Sequence, residues 1–219
     1  MVQNNILSPV ANTQQLLPSP GPTRLSKDDV KAAHRFRLLN AMAKKVAQEG
    51  YLNTSVGDVI ACAQVSRRTF YEIYANKEEC FIDLIKFGGD ALTAYLKSTI
   101  DSNRPSEETL SLIIKNYLEL LASERNFAKC ILVEAFAAGK VAVDLRYQIT
   151  ENIAQLMTGM YTMAKHLTES EIKQNPDIEL VTLAISSIVT KTVAKEQYDQ
   201  LPLLHSKIMN FVYSNIGLN

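Results

Sequence analysis

The side chains best placed for chemistry are Arg67, Arg68, Thr69 and Tyr71, four polar groups within one short run. A guanidinium fork pairs with guanine through two hydrogen bonds, and a threonine can meet a thymine methyl or a phosphate. The Tyr71 hydroxyl suits a phosphate oxygen. Thr54, Ser55 and Ser66 add hydroxyls where helical patterns begin, and backbone N–H groups at helix starts favour anions. Lys77 opens the next helical pattern and is a further candidate phosphate contact. This is binding chemistry rather than bond-breaking chemistry. The sequence has no Gly-rich phosphate loop and no recognisable Cys/His arrangement. His34, His166 and His205 have no metal-ligand spacing, so no catalytic residue, metal or cofactor is expected.

Two short helices must carry these groups. Ser55 caps the first, with Asp58 at the capping-box position and Val56, Val59, Ile60 and Ala63 facing inward. A break follows at Gln64-Val65. Ser66 then caps a second helix to about Tyr74, with Phe70, Ile73 and Tyr74 on one face. Arg68, Thr69, Tyr71 and Glu72 fall on the opposite face, with Arg67 near the border. This is the layout of a helix-turn-helix, whose second helix enters the major groove by its N-terminal end. Glu72 is open to three readings: it accepts from a cytosine amino group, orients Arg68, or repels phosphate.

The rest of the chain supports a helical body. Residues 1 to 23 hold no charged side chain and four prolines, so 1–25 reads as a disordered arm. Ser26 and Asp29 form a capping box ahead of Phe36, Leu39, Ala43 and Val46, and Gly50 ends that helix. Asn76 caps a long fourth helix over 77–102. Further helices are expected at 107–122, 126–138, 140–164, 177–196 and 201–216. The expected fold is all-α with about nine helices: a three-helix head over 26–76 and a helical domain over 77–219. A hydrophobic content of 47% is enough to build that core. Cys62, Cys80 and Cys130 form no disulfide framework and read as buried small apolar residues. With no secretory signal and no apolar run of about 18 residues, the chain reads as soluble and cytoplasmic, without a membrane partner.

The segment Thr54–Glu79, with the helix before it, resembles the DNA-binding domain of the TetR family of bacterial transcriptional regulators. The resemblance rests on Thr54-Ser55-Val56, Asp58-Val59, Ala63-Gln64-Val65-Ser66, Thr69-Phe70-Tyr71, Tyr74 and Asn76-Lys77-Glu78, preceded by Gly50-Tyr51. It covers about residues 27 to 85. Gln64 stands where the family usually has Gly, and in a left-handed backbone that costs on the order of 1 kcal/mol. Gly57 inside the second helix costs a similar amount, and Ile60 replaces a common Ala.

The resemblance implies a homodimer that binds double-stranded operator DNA, commonly a repressor released by a small effector. The nearly all-round apolar helix after Asp177 and the last helix offer a dimer seam: Ile178, Val181, Ile185, Ile188, Leu204, Ile208 and Phe211. Tyr117, Phe127, Glu134, Phe136, Met157 and Tyr161 are the expected effector lining, for a largely apolar ligand. Two alternatives are a regulator fold controlled by a protein partner and, with no supporting motif, an all-helical enzyme. The formal net charge is zero, yet residues 24 to 77 carry ten Lys+Arg against five Asp+Glu. The later residues carry thirteen against eighteen. A basic head cancelled by an acidic body directs DNA to the head.

Overall fold

The computed structural model of the protein describes residues 26–101, 103–165 and 177–216. The expected arm over 1–25 lies outside them. Among the described residues there are nine α-helices and no strand, as the periodicity predicts. The head comprises α1 (Lys27–Glu49), α2 (Val56–Ala63) and α3 (Arg67–Tyr71). The remaining helices are α4 (Lys77–Ser98), α5 (Ser106–Ser123), α6 (Arg125–Leu132), α7 (Lys140–Lys165), α8 (Asp177–Ala194) and α9 (His205–Ile216).

Local chemistry starts the head helices. Ser26 accepts from the Asp29 N–H while Asp29 accepts from the Ser26 N–H, and Ser55 and Asp58 repeat the exchange. Helix α1 then buries Leu38, Leu39, Met42 and Val46 along one stripe. It ends at Gly50, whose φ of 84° suits a residue without Cβ. Helix α4 leaves the head and runs into the body against α7. It ends at Ser98, shorter than expected.

Two glycines let α4 come close to its neighbours. A Cβ on Gly88 would stand 3.0 Å from Ile131 Cδ1 and from Phe127 Cδ1. One on Gly89 would stand 2.4 Å from Ile149 Cδ1 and 2.5 Å from its Cγ1. Gly89→Ala is therefore expected to cost about 1–2 kcal/mol, because overpacking outweighs the helix propensity gained. In an Ile149→Ala background most of that cost should vanish, as a denaturant double-mutant cycle would read. A Gly89→Ala protein more stable than wild type would show that the close approach is not needed.

The helix expected over 126–138 is divided. Helix α6 stops at Leu132, and a 3-10 turn (Glu134–Ala137) follows. The physical reason is visible at the break: the Leu132 carbonyl accepts from Arg146 Nε at 3.4 Å, and the Phe136 N–H turns to Val133. The last helix likewise starts late, at His205, behind two 3-10 turns (Tyr198–Gln200 and Pro202–Leu204). No described helix is long and apolar enough to cross a membrane.

Candidate nucleic-acid interface and effector cavity

Helix α3 has only five residues and is held by Phe70, which is fully buried. Its start is fixed by Ser66, whose hydroxyl accepts from the Thr69 N–H at 2.9 Å and bonds the Thr69 hydroxyl at 2.7 Å. Between α2 and α3, Gln64 adopts φ 52°, ψ 47°, the left-handed conformation anticipated for a Gly position. The Arg37 guanidinium donates to the Gln64 carbonyl at 2.7 Å and braces the turn. Arg37 was not among the sequence candidates; its partner is 27 residues away, beyond any local pattern.

Arg67, Arg68 and Tyr71 are exposed, Thr69 is half-buried, and Ser55 and Ser66 lie at the surface. The Arg68 side chain is 89% exposed, and its Nε donates to Glu72 at 2.8 Å. Of the three readings of Glu72, orienting Arg68 is the one the geometry adopts. Two expected DNA contacts have partners within the protein itself. Thr54 is buried, and its hydroxyl donates to the Gly50 carbonyl at 2.9 Å, so it braces the α1–α2 turn. Lys77 Nζ donates to the Tyr51 carbonyl at 2.7 Å and lies 4.1 Å from the Tyr51 ring centroid. Burial pulls its pKa below the usual lysine value, and the ammonium fastens α4 to the end of α1.

A three-residue network ties the head to α4. Arg35 donates to both Asp83 carboxylate oxygens at 2.7 Å, and the Tyr74 hydroxyl donates to Asp83 Oδ2 at 2.6 Å. Burial pushes the Asp83 carboxyl up. The hydrogen bonds from Arg35 and Tyr74 and the arginine charge outweigh it and hold it below its usual value. Arg35 and Asp83 are 48 residues apart, so this pair carries no sequence signal.

In the body, the expected effector residues separate. Tyr117 and Met157 share an apolar cavity between α5, α7 and α8, with Ile113, Thr150, Ile153 and Ile185. Burial pushes the Tyr117 phenol up to about 12. Phe127 lines a second apolar cavity with Gly88, Leu92 and Leu121. These cavities hold about 20 and 40 Å³, room for one water or little more. Glu134 and Phe136 lie outside both cavities. The Glu134 carboxylate accepts from the Tyr51 N–H at 2.8 Å, spanning from the body to the head. Phe136 is 50% exposed, with the Arg146 guanidinium 4.6 Å from its ring centroid. The side chain of Tyr161 lies outside the described residues.

The expected seam residues divide between the protomer's core and its surface. Val181, Ile185 and Ile208 are buried within the protomer and Leu204 packs against its core. Ile188 and Phe211 are exposed, and Ile178 lies outside the described side chains. The exposed row on α8 also contains Leu180 and Leu183.

Exposed arginines on a capped second helix, a braced turn and a basic head define a helix-turn-helix DNA-binding protein with a helical companion domain. The sequence model described as "Bacterial regulatory proteins, tetR family" matches residues 38–84, so this segment is similar to the DNA-binding domain of that family. The chain is 24% identical over 189 residues to the fatty acid metabolism regulator protein of Bacillus subtilis, covering 83% of this chain and 94% of that one. The fold is similar to the Bacillus subtilis transcriptional regulator FadR in complex with stearoyl-CoA. That match has a TM-score of 0.69 and 23% identity, over 82% of this chain and 97% of that one. The fatty acid degradation regulator FadR of Bacillus halodurans matches with a TM-score of 0.70 and 17% identity, over 84% and 98%.

Proposed function

We propose that this protein is a dimeric transcriptional repressor that reads a two-half-site operator and is released by a long-chain fatty acyl effector, such as an acyl-CoA. The observation that carries the reading is the apolar cavity of Tyr117, Met157, Ile113, Ile153 and Ile185, enclosed by three helices. Its support from relatives is the Bacillus subtilis FadR fold that holds stearoyl-CoA. At about 20 Å³ the cavity is far below the roughly 300–1,000 Å³ of an occupied ligand site. An acyl chain therefore selects a conformation in which α5, α7 and α8 stand farther apart. Helix α4 packs on α7 and begins in the head, so that movement reaches the reading helix. Leu180, Leu183, Ile188 and Phe211 form the apolar face through which two copies associate, and two-fold pairing matches two half-sites.

The test is a mobility-shift titration with DNA from upstream of the protein's own gene, repeated with stearoyl-CoA. Release of the DNA by micromolar stearoyl-CoA is expected. A complex that persists unchanged overturns the effector assignment, and a monomer by light scattering at micromolar concentration overturns the dimer. In the same assay Arg68→Ala should weaken specific binding by about 1–3 kcal/mol and leave nonspecific binding nearly unchanged. Equal losses on specific and random DNA would make Arg68 a phosphate contact instead of a base reader.

A further inference from the structure

Arg146 is the body's most unusual charge. The residue is only 7% exposed, and among the described residues no carboxylate pairs with it. Its Nε donates over a long 3.4 Å to the Leu132 carbonyl, and its Nη2 donates to the Thr190 hydroxyl at 3.1 Å. The guanidinium otherwise faces two aromatic rings, Phe136 at 4.6 Å and Tyr147 at 5.6 Å from their centroids. Burial lowers its pKa, the signature of a cation that its surroundings compensate poorly. Buried charges are ordinarily paired, because desolvation otherwise goes unrepaid.

Its position gives that charge a purpose. Arg146 precedes Thr150 by one turn of α7, and Thr190 follows Ser186 by one turn of α8. Thr150 and Ser186 both line the apolar cavity. Tyr117, another lining residue, is close enough for its phenol to feel the arginine charge. Arg146 thus stands one helical turn beyond residues that line an apolar cavity. We propose that Arg146 is the anchor for the anionic head group of an amphiphilic acyl ligand, a carboxylate or a phosphate, whose chain fills the cavity. This rests on the acyl-effector reading above and adds to it the group that selects the ligand's polar end. Guanidinium forks bind both oxyanions in a bidentate manner, and in a water-poor site such a bond is strong. Arg146 also holds the Leu132 carbonyl and the Phe136 ring, which flank Glu134. An anion that draws the guanidinium away would loosen the turn that carries the Glu134–Tyr51 link to the head.

The experiment is calorimetric binding of myristoyl-CoA, myristate and uncharged 1-tetradecanol to the full chain and to Arg146→Gln. Wild type should bind at least one charged ligand on the order of tenfold or more tightly than the alcohol. Arg146→Gln should lose that preference and keep the alcohol affinity. A preference for myristate assigns the carboxylate as the source, and one for myristoyl-CoA alone assigns the phosphates. If wild type binds all three equally, or Arg146→Gln keeps the preference, the anchor is wrong while the acyl reading stands. If wild type binds none of them, the acyl reading fails and the anchor with it. Should Arg146→Gln fail to fold, Arg146→Met, which keeps an aliphatic stem without the charge, serves: loss of the charged-ligand preference with alcohol binding intact supports the anchor, and a retained preference overturns it.

Discussion

Phe70→Ala should cost about 3–5 kcal/mol of folding stability, in the range for deleting a fully buried aromatic ring. The reading helix explains why the damage would be concentrated. A helix of five residues has no independent stability, since isolated helices are marginal below about 12–15 residues. Its own bonds are few, and its position depends on one ring packed at 5.8 Å from Tyr74 and 5.3 Å from Tyr71. Removing that ring leaves a cavity against the core and frees the helix that carries Arg67 and Arg68. Operator binding should therefore fall below detection in a mobility shift at concentrations where wild type is saturated. Far-ultraviolet dichroism should keep most of its helical signal, because the reading helix contributes only five helical residues. A urea melt with a loss under 1 kcal/mol would refute the argument that Phe70 holds the head.

What could be read in the sequence was local. Ser26 with Asp29 and Ser55 with Asp58 lie three positions apart, within one helical turn, so pattern alone places them. The left-handed Gln64 was open to anticipation only through the resemblance, because the similar family usually has Gly at that turn position. Two candidate site residues have partners that lie far away in the sequence. Lys77 finds the Tyr51 carbonyl 26 residues back, and Glu134 finds the Tyr51 N–H across 83. A lysine at a helix start and an acid among apolar residues look the same in sequence whatever they meet. The seam residues divide for another reason. Helix α8 is apolar nearly all round, so its composition says that several sides are covered and not which side. The fold puts Val181 and Ile185 inward and leaves Leu180 and Leu183 outward. Arg146 sits among Asp144, Tyr147 and Gln148, a context that reads as a solvated face, and only α8 and the turn after α6 bury it.

Asp83→Ala should cost about 2–4 kcal/mol, the second large loss. Removing one partner of a buried ion pair costs about 3–5 kcal/mol, but Arg35 is 41% exposed, and solvent screens part of the lost attraction. The Tyr74 hydroxyl, on a residue 6% exposed, adds the penalty of an unmatched buried donor. Asp83→Asn separates charge from shape, since its amide oxygen can still accept from Tyr74. The carboxyl's folded pKa is held below its unfolded value by the Arg35 and Tyr74 hydrogen bonds, which overcome burial. The stabilisation from its charge is therefore complete above the unfolded value of about 3.9 and is lost as pH falls through the lower folded value. The stability gap between wild type and Asp83→Asn should be flat from about pH 7 to pH 5 and shrink steadily at lower pH. A gap that stays constant down to about pH 2.5 would mean that the ionised carboxylate contributes nothing. Arg35 lies on α1, Tyr74 just after α3 and Asp83 on α4, so the same loss should loosen the head. Operator affinity of Asp83→Asn should then fall although no atom near DNA has changed, and an unchanged affinity would confine the network to stability alone.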